Sequence, residues 1–236
     1  MDVEYEDTQA YIRATQGLVD VEYEDTQAYI WVTQVSVMVE YIPKTGNCGI
    51  NDMGLVTYYE FASSLKCYLS RVDEVGLSVT GELTFGCWIL MNDLCMGKIT
   101  PVMGKWYETG NQRGFVLYKA SDNSMTLSIS TDGTAVVTID DGGVNFIANE
   151  WMYVVGRFIP STELAIFVNG TWYKNTTDIP ASIFDSTEQL ELARYNRYYY
   201  LDGGICHAFV SAVALEDSDI EANYSHTKAM FNKQFM

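Results

Sequence analysis

The chain has 236 residues, 48% of them hydrophobic and 14% aromatic, and a formal net charge of −17. That length suits one large all-β domain, or one domain plus an extension, and is enough to bury a substantial core. The acidity excludes the basic stripe needed for nucleic-acid phosphates or an anionic membrane surface, and no run reaches the ~18 apolar residues of a membrane span.

The charge is uneven. Residues 1–42 hold nine Asp/Glu against Arg13 alone, while the other 194 residues hold 22 acids against 13 bases. An acidic opening segment thus precedes a milder domain; such a face repels neighbours, holds cations or keeps a crowded assembly soluble. The chain opens with Asp2, Glu4, Glu6 and Asp7, where a secretory signal would place a basic region and an apolar stretch. Cys48, Cys67, Cys87, Cys95 and Cys206 form an odd set without C-x-x-C spacing. They are expected as buried reduced thiols in a protein made in a reducing cytoplasm.

Residues 1–42 are repetitive. "DVEYEDTQAYI" stands at 2–12 and again at 20–30, and Val-Glu-Tyr recurs at 3, 21 and 39, which gives a period of 18. In "LVDVEYED", Asp20, Glu22 and Glu24 alternate with Val19, Val21 and Tyr23, the period of a strand. Glu-Asp-Thr-Gln and Thr-Gln-Gly supply turns, so the unit reads as a meander or ribbon. Such a ribbon is marginal by itself, and it is expected to pack on the main domain or on other chains through Tyr5, Tyr11, Tyr23, Tyr29, Trp31 and Tyr41. A tandem duplication with no function is the plain alternative, against which stands the alternation kept in every copy. The pattern xVTQxxVxVEY resembles short β segments of structural proteins of tailed phages, which implies an assembly or attachment element.

"PKTGNCGINDMG", residues 43–54, marks a Gly- and Asn-rich link; the segments are therefore 1–42, a link at 43–53 and a main domain over 54–236. After "LVTYYEF", strands are expected at 75–79, 83–90, 114–120, 125–131, 135–141, 151–159, 164–168, 171–176, 189–195 and 203–213. Many short strands with turns between them indicate an all-β sandwich. "SDIE" at 218–221 reads as a capping box, Ser218 as N-cap and Glu221 reaching back, opening one short helix to about residue 228. Asn169-Gly170 suits a tight hairpin turn because both residues tolerate positive φ, and Asp202-Gly203 turns the chain into the last strand. Trp88 and Trp151 are expected to be buried anchors.

In order, "LTFGCWI", "NEWMYVVGRF", "LAIFVNG" and "LDGGI" with "ALEDSDI" resemble the motifs of the concanavalin A-like, laminin-G-like jelly roll over residues 54–226. The resemblance implies an antiparallel jelly-roll β-sandwich. Some relatives are glycoside hydrolases with paired carboxylates on one strand; the nearest match here, Asp2/Glu4/Glu6 and Asp20/Glu22/Glu24, lies outside the jelly roll. His207 and His226 accompany no G-x-S-x-G, and no phosphate-binding glycine loop is present. The family often carries calcium on an Asp in the closing strand, yet Cys206 stands there, and thiols are poor calcium ligands. Asp93, Asp122, Asp140 and Asp141 are the acids that would have to substitute; no cofactor is otherwise expected.

Glycan binding needs aromatic faces for the C–H side of a sugar and polar groups for its hydroxyls. "RYNRYYYLD" offers Arg194, Tyr195, Asn196, Arg197, Tyr198, Tyr199 and Tyr200 in a loop between two late strands, and "GKWYETGNQRG" offers Trp106, Tyr107, Asn111 and Arg113. A subunit interface enriched in Tyr and Arg, and ordinary core packing of alternate tyrosines, are the competing readings. The expectation is a non-enzymatic surface protein of a phage-like particle, a decoration, fibre or tail-associated subunit. It would be made in the host cytoplasm, form homo-oligomers or contact other virion subunits, and touch cell-surface glycans. A stand-alone lectin-like module is the alternative, and a glycosidase is a weaker third.

Overall fold

The computed structural model describes residues 22–23, 26–27, 49–52, 57–143 and 145–232. Among the described residues, seventeen strands and one α-helix follow in chain order: β1 (Glu22–Tyr23), β2 (Thr26–Gln27), β3 (Gly49–Asp52), β4 (Thr57–Phe61), β5 (Leu69–Arg71), β6 (Leu83–Met91), β7 (Thr100–Tyr107), β8 (Gln112–Lys119), β9 (Met125–Ser130), β10 (Val136–Asp140), β11 (Trp151–Ile159), β12 (Glu163–Val168), β13 (Thr171–Asn175), β14 (Leu190–Leu192), β15 (Arg194–Tyr195), β16 (Tyr199–Tyr200), β17 (Gly203–Ser211) and α1 (Asp217–Asn232). Two antiparallel sheets make the sandwich, one of six strands in the order β10-β9-β8-β7-β14-β5 and one of seven in the order β13-β12-β11-β6-β17-β4-β3. The all-β jelly-roll expectation stands.

Strand alternation explains the layering. Along β11, Met152, Val154 and Phe158 face the inter-sheet core, and along β12 Leu164, Ile166 and Val168 join them. Phe85 of one sheet meets Phe115 of the other edge to face at 4.8 Å between centroids. Each such fully buried side chain stabilises the fold by roughly 1.5–3 kcal/mol. The opposite face of β11, with Trp151, Tyr153 and Val155, forms a second cluster with Trp88, Phe167 and Ile220. Because α1 covers that face, β11 is apolar on both sides, which is why "WMYVVGRF" shows no polar alternation. Trp88 Nε1 donates to Thr227 Oγ1 at 2.9 Å on the helix. Both tryptophans are buried, as expected, but under the helix.

Several expected boundaries shift. Residues 75–79 do not form a strand: Val75–Leu77 is a 3₁₀ turn with Leu77 buried and Val75 94% exposed. Gly76 weakens strand propensity there, and the Leu77 carbonyl is held by Lys105 Nζ at 3.1 Å. The strands β5 and β7 go beyond the expected set; "TPVMGKWY" hides its period behind two register shifts, at Pro101/Met103 and Lys105/Trp106. Residues 49–52, inside the segment read as a link, add the edge strand β3 to the seven-stranded sheet.

Ser218 lies inside α1, not at its N-cap, because the Glu216 carbonyl already accepts from the amides of Asp219 and Ile220. Asp217 at the helix start takes the anchoring role through Lys174 and Arg157, with its charge favoured at the positive end of the helix. Asn169 and Gly170 both have positive φ, 50° and 98°, as the hairpin requires. Cys67 is disulfide-bonded, which corrects the expectation of five reduced thiols; pairing depends on proximity in space, which spacing along the chain does not reveal. Cys87, Cys95 and Cys206 are free and buried, and Cys48 lies outside the described residues. No described helix is long and apolar enough to cross a membrane.

Of the repeat, only β1 and β2 are described; they pair antiparallel, Glu22 opposite Gln27 and Tyr23 opposite Thr26. The assembly candidates Tyr5, Tyr11, Tyr29, Trp31 and Tyr41 lie outside the described residues.

Candidate functional site

The chain leaves β14 at Leu192, bends at Ala193 (φ 65°) and returns as a small hairpin, Arg194 opposite Tyr200 and Tyr195 opposite Tyr199. What read as a loop is therefore an ordered two-stranded ribbon. Its turn has Asn196 at φ 49° and Arg197 at φ 61°, closed by the Tyr198 amide donating to the Tyr195 carbonyl at 3.2 Å. Two consecutive left-handed residues give the mirror-image turn that matches strand twist. Asn tolerates this conformation; for Arg it costs about 1 kcal/mol and persists only where surrounding contacts over-determine it.

Those contacts come from the end of β7, far away in the sequence. The Glu108 amide donates to Asn196 Oδ1 at 3.1 Å, and the Tyr195 hydroxyl donates to Glu108 Oε1 at 3.1 Å. The Arg197 guanidinium lies over the Tyr107 ring, 3.9 Å from its centroid, and Nη2 donates to both carboxylate oxygens of Glu188 at 3.0 and 2.7 Å. At the other end of the hairpin, Arg194 lies 3.6 Å over the Tyr68 ring and grips both oxygens of Glu191. Tyr195 stacks on Tyr118 at 5.2 Å in a buried cluster with Trp106 and Val116. The two stretches that the sequence offered separately thus form one patch on the six-stranded sheet, on the face opposite the inter-sheet core.

Its members divide by exposure. Trp106 and Tyr195 are buried and support the hairpin; Tyr107 has one face capped by Arg197. Tyr198 is 71% exposed and Tyr199 39%, so these two rings are the ones presented to solvent. Asn111 and Arg113 do not join: Asn111 closes the turn into β8, its amide donating to the Glu108 carbonyl at 3.2 Å, and Arg113 Nη1 donates to the Gly133 carbonyl at 3.2 Å, toward the β9–β10 turn. Glu108, Glu188, Glu191, Tyr68 and Tyr118 escaped the sequence reading. Glu191 stands three residues before Arg194, but nothing in the chain order ties Glu188 to Arg197 or Glu108 to Asn196.

Electrostatics fit a fixed scaffold. Hydrogen bonding from Glu188 holds the Arg197 pKa above its usual range. Burial pulls that of Arg194 down, but bonding and charge from Glu191 outweigh it and the net shift is upward. Burial, and then the Glu108 charge, push the Tyr195 hydroxyl up, so it remains a proton donor.

The residues do not fit calcium. Cys206 is a buried thiol in the cluster under α1. Asp122 Oδ1 accepts from the Ser124 amide and hydroxyl, Asp140 Oδ1 from the Gly142 amide, and Asp141 from the amides of Met125 and Gly143 and the Asn145 side chain. Among the described residues no three His, Cys, Asp or Glu side chains gather so as to hold a metal ion. His207 sits at the β17 irregularity with φ 50°, and His226 lies on the exposed side of α1. The carboxylates of "DVEYE" offer no side-chain geometry within the described residues.

Comparison with known proteins supports the architecture. The binding domain of Paraclostridial mosquitocidal protein 1 superposes with TM-score 0.61 at 13% identity, covering 80% of this chain and 47% of that one. The binding domain of botulinum neurotoxin DC, solved in complex with rat synaptotagmin II, gives 0.60 at 14% identity, covering 77% and 45%. The ligand-binding domain of botulinum neurotoxin serotype D, in complex with N-acetylneuraminic acid, gives 0.59 at 9% identity, covering 75% and 44%. The chain thus spans less than half the length of these structures, and the likeness is one of fold. No curated protein matches the sequence. The sequence profile of the concanavalin A-like lectin/glucanases superfamily matches residues 68–221, and the chain belongs to that superfamily.

Proposed function

We propose that this protein is a non-enzymatic recognition module that binds carbohydrate at the β15–β16 hairpin. The observation that carries the reading is Tyr198, 71% exposed on a turn whose backbone is pinned by Asn196, Arg197 and Tyr195. A rigid exposed aromatic loses little entropy when a sugar stacks on it, and Tyr199 beside it extends the platform. The neighbours in fold were solved as binding domains, one with N-acetylneuraminic acid and one with rat synaptotagmin II, which supports recognition as the role. A glycan array with the full chain tests this. Binding should fall at least tenfold in Tyr198→Ala and Tyr199→Ala; no binding by the folded wild type, or binding unchanged in both variants, removes the proposal.

The 18-residue repeat, with its likeness to segments of tailed-phage structural proteins, favours a particle as the setting: the repeat attaches the subunit to other virion subunits or to copies of itself, and the jelly roll projects from the surface. Mass spectrometry of purified native particles is the check, since absence of the chain from them contradicts this setting.

A further inference from the structure

We infer that the hairpin site selects neutral glycans over sialylated or otherwise anionic ones, with Glu188 as the residue that sets the preference. This rests on the carbohydrate-binding reading and goes beyond it by naming the ligand class.

The inference starts from how the arginines are used. A protein that captures a sugar carboxylate offers a guanidinium, because its planar fork matches two oxygens. The hairpin has two, and both are already paired: Arg194 Nε and Nη2 hold the two oxygens of Glu191, and Arg197 Nη2 donates to both oxygens of Glu188. One face of each guanidinium plane is also covered, by Tyr68 for Arg194 and by Tyr107 for Arg197. Of the other two cations in the two sequence clusters, Arg113 is directed to the Gly133 carbonyl and buried Lys105 to Asp73 and the Leu77 carbonyl. Against Arg194 and Arg197 stand three carboxylates, Glu108, Glu188 and Glu191, so the patch carries a net negative charge. An incoming anion meets repulsion, and each hairpin arginine has its charge already paired with a carboxylate. The uncharged hydroxyls of a neutral sugar meet carboxylate and amide acceptors beside exposed Tyr198 and Tyr199.

The two ion pairs differ in accessibility, which singles out one of them. The Arg197 side chain is 47% exposed and that of Glu188 17%, whereas Arg194 and Glu191 are 12% and 8% exposed. Arg197 is also adjacent to Tyr198 in the turn. Removing the Glu188 charge therefore frees a guanidinium at the place where a stacked sugar would present its substituents, while the Arg194–Glu191 pair remains as a support.

The experiment uses matched pairs of immobilised glycans, identical except for a terminal sialic acid, with the full chain and with Glu188→Gln. Gln keeps the shape and one acceptor, so the turn is retained; far-ultraviolet circular dichroism and thermal melting verify the fold. The expected result is that the wild type binds the neutral member at least about tenfold tighter. In Glu188→Gln the preference should shrink by about tenfold through a gain for the sialylated member, the size of one charge-assisted contact. If the wild type binds sialylated glycans as tightly as neutral ones or tighter, the inference fails while the carbohydrate-binding reading stands. If Glu188→Gln leaves a neutral preference unchanged, Glu188 does not set it. If the folded wild type binds neither set, the carbohydrate-binding reading itself is lost.

Discussion

The guanidinium of Arg197 stacks 3.9 Å over the ring of Tyr107, and this contact joins a late hairpin to the end of β7. Arg197→Lys retains the charge but loses the planar stack on Tyr107 and the fixed position of Nη2 between the two Glu188 oxygens. Because the pair is partly exposed, the expected loss of global stability is small, within about 1 kcal/mol. The local effect should be larger. Amides of residues 195–199 should exchange faster by hydrogen–deuterium exchange, and glycan affinity should fall, since an unpinned turn has more freedom to lose on binding.

Arg157 makes the opposite kind of contact. Its guanidinium is buried, bonded to Glu163 Oε1 at 3.0 and 2.6 Å and to the Leu215 carbonyl at 2.7 Å, and lies 4.6 Å over Trp172. Arg157→Met leaves Glu163, itself buried, with Lys174 Nζ at 3.4 Å as its remaining ion partner. The expected cost is about 3–5 kcal/mol by urea denaturation. Adding Glu163→Gln should recover part of it, whereas independent sites would give additive losses.

Docking of α1 should weaken in acid. Burial alone would raise the Asp217 pKa, but hydrogen bonds and charge from Lys174 and Arg157 outweigh it and hold the carboxyl below its ordinary value. For an acid with a depressed folded-state pKa, the stabilisation is present above the unfolded value of about 3.9 and is lost as pH falls through the folded pKa. Helix docking, followed by Trp88 fluorescence, should therefore decline below about pH 4, and Asp217→Asn should flatten that part of the profile.

The three free thiols should be inert in the native state. Burial pushes the pKa of Cys87 and Cys206 up, and also that of Cys95, where bonds to Asp202 and Thr100 oppose it in part. Only the thiolate reacts with iodoacetamide or an aromatic disulfide. At pH 8 the folded protein should show no labelling of these residues within an hour, and full labelling in guanidinium. Rapid labelling of any of the three without denaturant would contradict the packing.

What the sequence determined by itself was the local grammar. Short apolar runs bounded by turn residues gave β6, β8, β9, β11 and β12, Asn169-Gly170 gave its hairpin, and the ordered motifs gave the jelly-roll class, because strand patterning and turn chemistry act over a few residues. The helix was visible too, though its N-cap moved from Ser218 to Glu216, whose carbonyl accepts from the Asp219 and Ile220 amides. Tertiary structure decided the rest. "TPVMGKWY" became a strand through pairing on both sides despite its bulges, and "VGL" became a turn held by a buried lysine. The candidate site shows the division most clearly. Its aromatics and arginines were readable as two separate clusters, yet which rings are capped, which are exposed and which carboxylates pair with the guanidinium groups depend on contacts between segments far apart in the chain. Composition counts donors and rings; only the fold decides which of them remain available to a ligand.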